Sequence, residues 1–249
     1  MTNRIKKIGL IAFSAALIGL IAMNTLLYRE LRKYYTLLYE SELDPIGLTY
    51  FQDESLPQTN NLPVVVFFGD SRAAQWPAPQ IEGFTFINRG IGNQTSTQVL
   101  LRYEEHVQPL KPKIVIIQVC INDLKTLPLF AGRETEIIEN CKANIQEIIK
   151  KSLSLKSTVI LTTIFPTSGD VPLTRRPVWS DDIYLAIEEV NSFILNMHME
   201  NVIVFDAASI LSDSDGNTKE EYVFDLLHLN NNGYNALNLE LSKILESLK

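Results

Sequence analysis

Three short blocks of this 249-residue chain hold the side chains that acyl transfer to a serine requires. The first is an apolar run from Val64 that ends in Gly69-Asp70-Ser71. The second is an apolar run from Val115 that ends in Asn122-Asp123, and in the third Asp225 stands three residues before His228. A serine hydroxyl becomes a nucleophile only beside a base. An aspartate and a histidine three apart can share one face of a turn. The carboxylate then fixes the imidazole tautomer and stabilises its charged form. The Asn122 amide can donate to an oxyanion forming on a substrate carbonyl, joined by backbone N–H groups of another loop. Asn88 to Thr95 offers such a loop, because Gly90 and Gly92 let its backbone come close to a ligand. Each residue alone also has a plainer role. Ser71 could cap a helix, Asn122 could turn the chain, and Asp225 and His228 could cap the last helix. The other histidines, His106 and His198, lie in amphipathic helical patterns and read as surface or half-buried residues.

The elements around these blocks alternate. Apolar runs at 63–68, 84–88, 113–119, 157–163 and 201–205 read as strands. Helical periodicity follows at 72–81, 95–108, 134–152, 181–199 and 229–248. The third and fourth strands are rich in Val, Ile, Leu and Thr without polar alternation, as expected for strands buried on both faces. Strand–helix alternation implies a parallel sheet with right-handed crossovers, and ligands then sit beyond the carboxyl ends of the strands. Ser71, Asn93 and Asn122 all fall there.

The order Gly-Asp-Ser, then a glycine-bearing Asn-Arg-Gly-Ile loop, then Asn-Asp, then Asp-x-x-His resembles the SGNH hydrolase superfamily, the GDSL-type esterases and lipases. The resemblance spans about residues 62–245. It implies a flavodoxin-like three-layer α/β/α sandwich with a five-stranded parallel sheet. It implies Ser71 as nucleophile, His228 as base, Asp225 as its orienting acid and Asn122 as an oxyanion donor. The backbones of Ser71, Gly92 and Asn93 would supply the remaining oxyanion donors, and no metal or cofactor is called for. Two positions depart from the family pattern. Cys120 replaces the glycine of the third block. Asn93 stands where the second block expects glycine, with Gly92 one place early; asparagine tolerates left-handed backbone. The Gly-x-Ser-x-Gly elbow of α/β-hydrolases is missing.

Other features bound the reading. The net charge is -7 and no run of Lys or Arg exceeds two residues, which argues against nucleic-acid binding. Cys120 and Cys141 are too few for a disulfide framework and read as buried thiols. Asp213 to Asn217 begins like a calcium loop but lacks its later ligands, so it reads as a turn. The Phe165–Ser180 stretch, with Arg175, Arg176 and Trp179, and the group Leu124, Leu127, Leu129 and Phe130 could either rim the site or pack as ordinary loops.

From Ile8 to Tyr28 no residue is charged. A helix of about 20 such residues spans about 30 Å, a bilayer core. An uncleaved anchor fits this better than a signal peptide, whose apolar region is shorter and ends in a small-residue cleavage site; a buried helix is the remaining alternative. The organisation expected is an anchor at 1–28, a juxtamembrane helix and linker at 29–61, and a hydrolase domain at 62–249. Leu31, Tyr34, Tyr35 and Leu38 share a helical face, suited either to the membrane interface or to packing on the domain. Arg4, Lys6 and Lys7 before the span balance Arg29, Arg32 and Lys33 after it. The free amino terminus tips the orientation toward a domain outside the cytoplasm. The expected activity is hydrolysis of small acyl esters, from a small molecule, lipid or glycan. Acyl transfer to or from a cell-envelope sugar, its deacetylation, and a non-catalytic binding module of the same fold are the alternatives.

Overall fold

The structure, a computed structural model, describes residues 2–54 and 61–249. The chain divides into two units, Met1–Pro45 and Ile46–Lys249. The first is one continuous helix, α1 (Thr2–Leu43), which stops at Asp44-Pro45. It is long and apolar enough to cross a membrane, with a mean hydropathy of 2.2 in its most apolar stretch. The polar side chains Asn24 and Thr25 donate one turn back to the carbonyls of Leu20 and Ile21, at 2.9 and 2.8 Å. Their hydrogen bonds are thus met inside the helix, as an apolar surrounding would demand.

The second unit is a five-stranded parallel sheet of order β2-β1-β3-β4-β5. Its strands are β1 (Val64–Gly69), β2 (Thr85–Gly90), β3 (Ile114–Gln118), β4 (Thr158–Thr162) and β5 (Val202–Phe205). Side chains alternate between two cores. Val64, Val66, Phe68, Val115, Ile117, Val159 and Leu161 face the first. Val65, Phe67, Ile114, Ile116 and Ile160 face the second. The helices of this unit are α2 (Ser71–Ala74), α3 (Ser96–Leu101), α4 (Tyr103–His106), α5 (Ile121–Leu124), α6 (Glu134–Ser154), α7 (Asp181–Leu195), α8 (Ala207–Leu211) and α9 (Asn231–Ser247); α3, α6 and α7 close the first core, α8 and α9 the second. That is the three-layer α/β/α sandwich expected, and the strand runs are apolar throughout because both faces are covered. Each fully buried Val, Ile, Leu or Phe contributes about 1.5–3 kcal/mol.

Three local expectations are corrected. The helix expected at 72–81 is only Ser71–Ala74, because Pro77 and Pro79 cannot continue it. The helix expected at 95–108 breaks at Arg102 into α3 and Tyr103–His106. The stretch read as linker is partly domain: Gln94 donates to the Ile46 carbonyl, His106 meets the Leu48 carbonyl, and Arg89 pairs with Glu54 and lies over the Phe51 ring. The rest of that linker, 55–60, lies outside the described residues.

Candidate active site

β1 lies between β2 and β3, so the connections leaving β1 and β3 diverge at their carboxyl ends and open a crevice there. Close packing builds its floor. Gly69 and Gly90 are register partners on β1 and β2. A Cβ on Gly69 would stand 1.8 Å from the Gln118 carbonyl oxygen, and one on Gly90 would stand 2.1 Å from the Ala74 nitrogen. Only glycine fits either place, and the close approach brings the turn after β1 onto β2 and β3.

Ser71 follows directly. Asp70 caps the short helix with its own carboxylate, accepting from the Arg72 N–H at 2.9 Å, so the Ser71 hydroxyl is left to face elsewhere. It meets His228 Nε2 at 2.9 Å. On the other side of the ring, Nδ1 lies 2.9 Å from both Asp225 oxygens. With the proton on Nδ1, the ring donates to Asp225 and accepts from Ser71. The loop that carries the pair is tightly closed. Asp225 Oδ1 also accepts the N–H groups of Leu227 and His228, each at 2.8 Å, and Val223 bridges Leu229. Partial burial acts to raise the Asp225 carboxyl. The bond from His228, the two backbone N–H groups and the attraction of the imidazolium outweigh it and hold the carboxyl below its usual range.

Asn122 lies after β3 and is buried. Its side-chain nitrogen donates to the Gln94 carbonyl at 2.9 Å, which ties the loop after β3 to the loop after β2 and leaves that amide a second N–H. Asp123 adds a second tie, accepting from the Ser96 N–H at 2.8 Å and its hydroxyl at 2.7 Å. Gly92 adjoins Ser71, since a Cβ there would sit 4.0 Å from that of Ser71. Asn93 adopts the left-handed region at φ 64° and lines the cavity beside His228. Ser71, His228 and Asp225 are thus in direct contact, Gly92 adjoins Ser71, Asn93 lines the cavity beside His228, and Asn122 is tied to the carbonyl of Gln94 next to Asn93, although these residues come from four separate chain segments.

Several residues that hold this crevice carried no signal in the sequence. Arg72 is fully buried and donates to three backbone carbonyls: Leu227 at 2.9 Å, Phe165 at 2.8 Å and Pro166 at 3.3 Å. It thereby fastens the histidine loop to the end of β4. Arg102 does the same for the turns after β1 and β2, donating to the Gly69 and Arg89 carbonyls at 2.8 and 2.7 Å. Burial lowers both guanidinium groups, Arg72 to about 10 and Arg102 to about 9, so both stay charged at neutral pH. His106, expected at the surface or half-buried, is buried against Arg102 and Phe51 and makes no contact with Ser71, Asp225 or His228. His198 is exposed beyond the end of α7.

The reading of the cysteines as thiols is wrong. Cys120 and Cys141 form a disulfide between the loop after β3 and α6. Cys120 is left-handed, at φ 90°, which is why a glycine suits this position. Spacing alone could not reveal the bond, because the two residues are 21 apart and meet only when α6 packs on the sheet.

A cavity of about 310 Å³ opens from His228 and Asp225. Leu129 and Lys125 form one wall, and Arg175, Val178 and Trp179 form another, so part of the Phe165–Ser180 stretch does rim the site. Leu124 and Leu127 instead belong to the core. Among the described residues no cluster of His, Cys, Asp or Glu could hold a metal ion.

A parallel α/β/α sandwich with a Ser–His–Asp relay at its strand ends is the architecture of one class of acylhydrolases, and the sequence agrees. Residues 59–236 match the GDSL-like Lipase/Acylhydrolase family, and the chain belongs to it; it is an esterase or acylhydrolase of the SGNH superfamily. The fold is shared with a GDSL-like lipase from Bacteroides thetaiotaomicron, at a TM-score of 0.64 and 21% identity over 82% of this chain and 99% of that one. It is also shared with a catalytic mutant of an acetylxylan esterase from Geobacillus stearothermophilus, at 0.52 and 18%, over 73% and 93%. Among curated proteins, an N-acylneuraminate cytidylyltransferase from Escherichia coli O18:K1:H7 (strain RS218) is 24% identical over 192 residues, 73% of this chain. The chain spans only 40% of that relative's length.

Proposed function

We propose that this protein is a serine-dependent hydrolase of small acyl esters that works through an acyl-enzyme. The observation that carries the reading is the unbroken relay from Ser71 Oγ through His228 to Asp225, with 2.9 Å at each link. Ser71 attacks the ester carbonyl as His228 Nε2 takes its proton. The oxyanion is met by the second N–H of Asn122 and by backbone N–H groups of Ser71 and the Gly92–Asn93 turn. His228 returns the proton to the leaving alcohol, then deprotonates the water that releases the acid. Asp225 stays ionised and holds the imidazolium. The small cavity favours short acyl groups.

The domain organisation proposed is a membrane anchor at 1–28 within α1 and a catalytic domain outside the cytoplasm. The Cys120–Cys141 disulfide supports that side, because such bonds persist in oxidising compartments. A second reading, deacylation of or transfer to an envelope carbohydrate, draws on the fold shared with an acetylxylan esterase and on a relative named for an acylated sugar acid. It uses the same acyl-enzyme and differs in the alcohol and the acceptor.

The test is labelling of the full-length protein in detergent with a fluorophosphonate probe, beside a Ser71→Ala variant, followed by turnover of p-nitrophenyl esters of rising chain length. Wild type should label and the variant should not, with kcat/KM greatest between acetyl and butyryl. Equal labelling of a folded Ser71→Ala protein refutes the nucleophile. A rise through octanoyl refutes the small acyl group.

A further inference from the structure

Two cations, Lys125 and Arg175, line the cavity that opens from His228. Lys125 directly follows the Ile121–Leu124 turn that carries Asn122 and is half-buried; Arg175 lies on the segment after β4 and is exposed. Among the described residues neither side chain takes a hydrogen bond or an ion pair. Several lysines on the helices, by contrast, meet carboxylates: Lys142 meets Glu139 and Glu189, Lys151 meets Glu104, and Lys243 meets Glu240.

The carboxylates nearest to them each hold another partner, although Asp70 Oδ2 is buried without a hydrogen bond. Asp225 is bound to His228, Asp70 accepts from the Arg72 N–H, and Asp123 accepts twice from Ser96. Burial disfavours the Lys125 ammonium. Attraction to Asp70 and Asp123 opposes that effect, while Arg175 and Arg72 reinforce it. An ammonium half out of water, with a guanidinium on the same cavity lining, is stabilised by an incoming anion. Leu129, Val178 and Trp179 add apolar surface and Thr126 and Thr174 neutral polar groups; the one carboxylate on the lining, Asp225, is bound to His228.

We infer that the ester cleaved here carries an oxyanion, a carboxylate or a phosphate, on the half that occupies this cavity, gripped between Lys125 and Arg175 beside the scissile bond. The inference rests on the hydrolase reading and adds the charge of its substrate. Neutral esters are then poor surrogates, since they leave both cations unpaired in the bound state.

Three acetyl esters of closely matched shape test it: 3-acetoxybenzoate, its methyl ester and 3-acetoxyphenyl phosphate, with acetate release measured at low ionic strength. Wild-type enzyme should favour at least one anionic ester over the neutral one by tenfold or more in kcat/KM, and added salt should shrink the ratio. The ratio should fall at least fivefold in Lys125→Met and at least twofold in Arg175→Gln, the latter at an exposed position where folding is not at stake. Preference for the carboxylate assigns an organic or sugar acid, and preference for the phosphate assigns a phosphorylated alcohol. An equal preference leaves a general anion site. A wild-type enzyme with no anionic preference, or a preference untouched by both substitutions, overturns the inference. Failure of the hydrolase reading would look different: no fluorophosphonate labelling and no turnover of any of the three esters.

Discussion

Removing the Cys120–Cys141 bond should weaken the fold by an amount that the loop length sets. The bond closes 21 residues, and the chain-entropy relation gives about 3 kcal/mol for a loop of that size. For a domain of this size each kcal/mol lowers Tm by about 2–4 °C, so Cys141→Ala should melt about 6–12 °C below wild type. Cys120 adds a second term, because it holds φ 90°. A residue with a Cβ loses about 1–2 kcal/mol there and glycine does not. Cys120→Gly should therefore be more stable than Cys120→Ala by about 1–2 kcal/mol, although both lack the bond. Differential scanning calorimetry of the four proteins in detergent reads these differences, and thiol titration before and after denaturation confirms the oxidation state. Both sulfurs are buried, so dithiothreitol should leave the native bond intact until unfolding begins. Two free thiols in purified wild type, or equal stability of Cys120→Gly and Cys120→Ala, would refute the reasoning.

In the proposed mechanism the second N–H of Asn122 serves the oxyanion more than the ground-state carbonyl, so Asn122→Ala should lower kcat by about 10²–10³ with little change in KM; steady-state kinetics showing a change in KM alone would make it a positioning residue. Arg72→Met should destabilise by about 3–5 kcal/mol, since two buried carbonyls and one partly buried carbonyl lose a charged donor, and urea titration measures it. Arg72→Lys should restore only part, since one ammonium cannot match the three-way fork. Burial raises Asp70 and Asp123 to about 6, so between that value and 3.8 the folded state keeps protons that the unfolded chain has released. Their contribution is therefore full below 3.8 and lost as pH rises through about 6, a swing of about 3 kcal/mol for each. Asp70→Asn, which keeps the acceptor for Arg72, should flatten stability measured between pH 4.5 and 7.5; an unchanged slope would show that Asp70 does not titrate there.

The strands were legible because each is an apolar run covered on both faces, and Ser71, Asn122 and Asp225-x-x-His228 because each sits in a short local pattern. What escaped is non-local. Arg72 reads as an ordinary polar residue beside a serine, yet its partners lie 93, 94 and 155 residues away. Cys120 and Cys141 give no spacing signal. Residues 46–54 look like linker because their few apolar side chains have no period, and they dock by single contacts: a carbonyl at Leu48, a ring at Phe51, a carboxylate at Glu54. Local chemistry proposes the catalytic set, and the groups that aim it become visible only once the sheet brings distant segments together.

The carboxylates around Ser71 show how environment can separate roles that residue type does not. Asp70 adjoins Ser71, Asp123 adjoins Asn122, and Asp225 is distant in sequence from both, so proximity along the chain would favour the wrong acid. Asp70 is fully buried and spends Oδ1 on the Arg72 N–H; burial pushes its carboxyl to about 6. Asp123 is likewise buried, spent on Ser96 and raised to about 6. Neither is secured as an anion through the mildly acidic range, and both have hydrogen bonds that point away from the imidazole. Asp225 alone combines partial solvent access, two backbone donors and a direct bond to His228 Nδ1, and its carboxyl is held below the usual range. A group that must stay negative while the imidazolium forms needs that setting. Divergent carboxyl pKa values thus favour Asp225 as the orienting acid of the proposed mechanism and leave Asp70 and Asp123 as loop fasteners, whatever their nearness to Ser71.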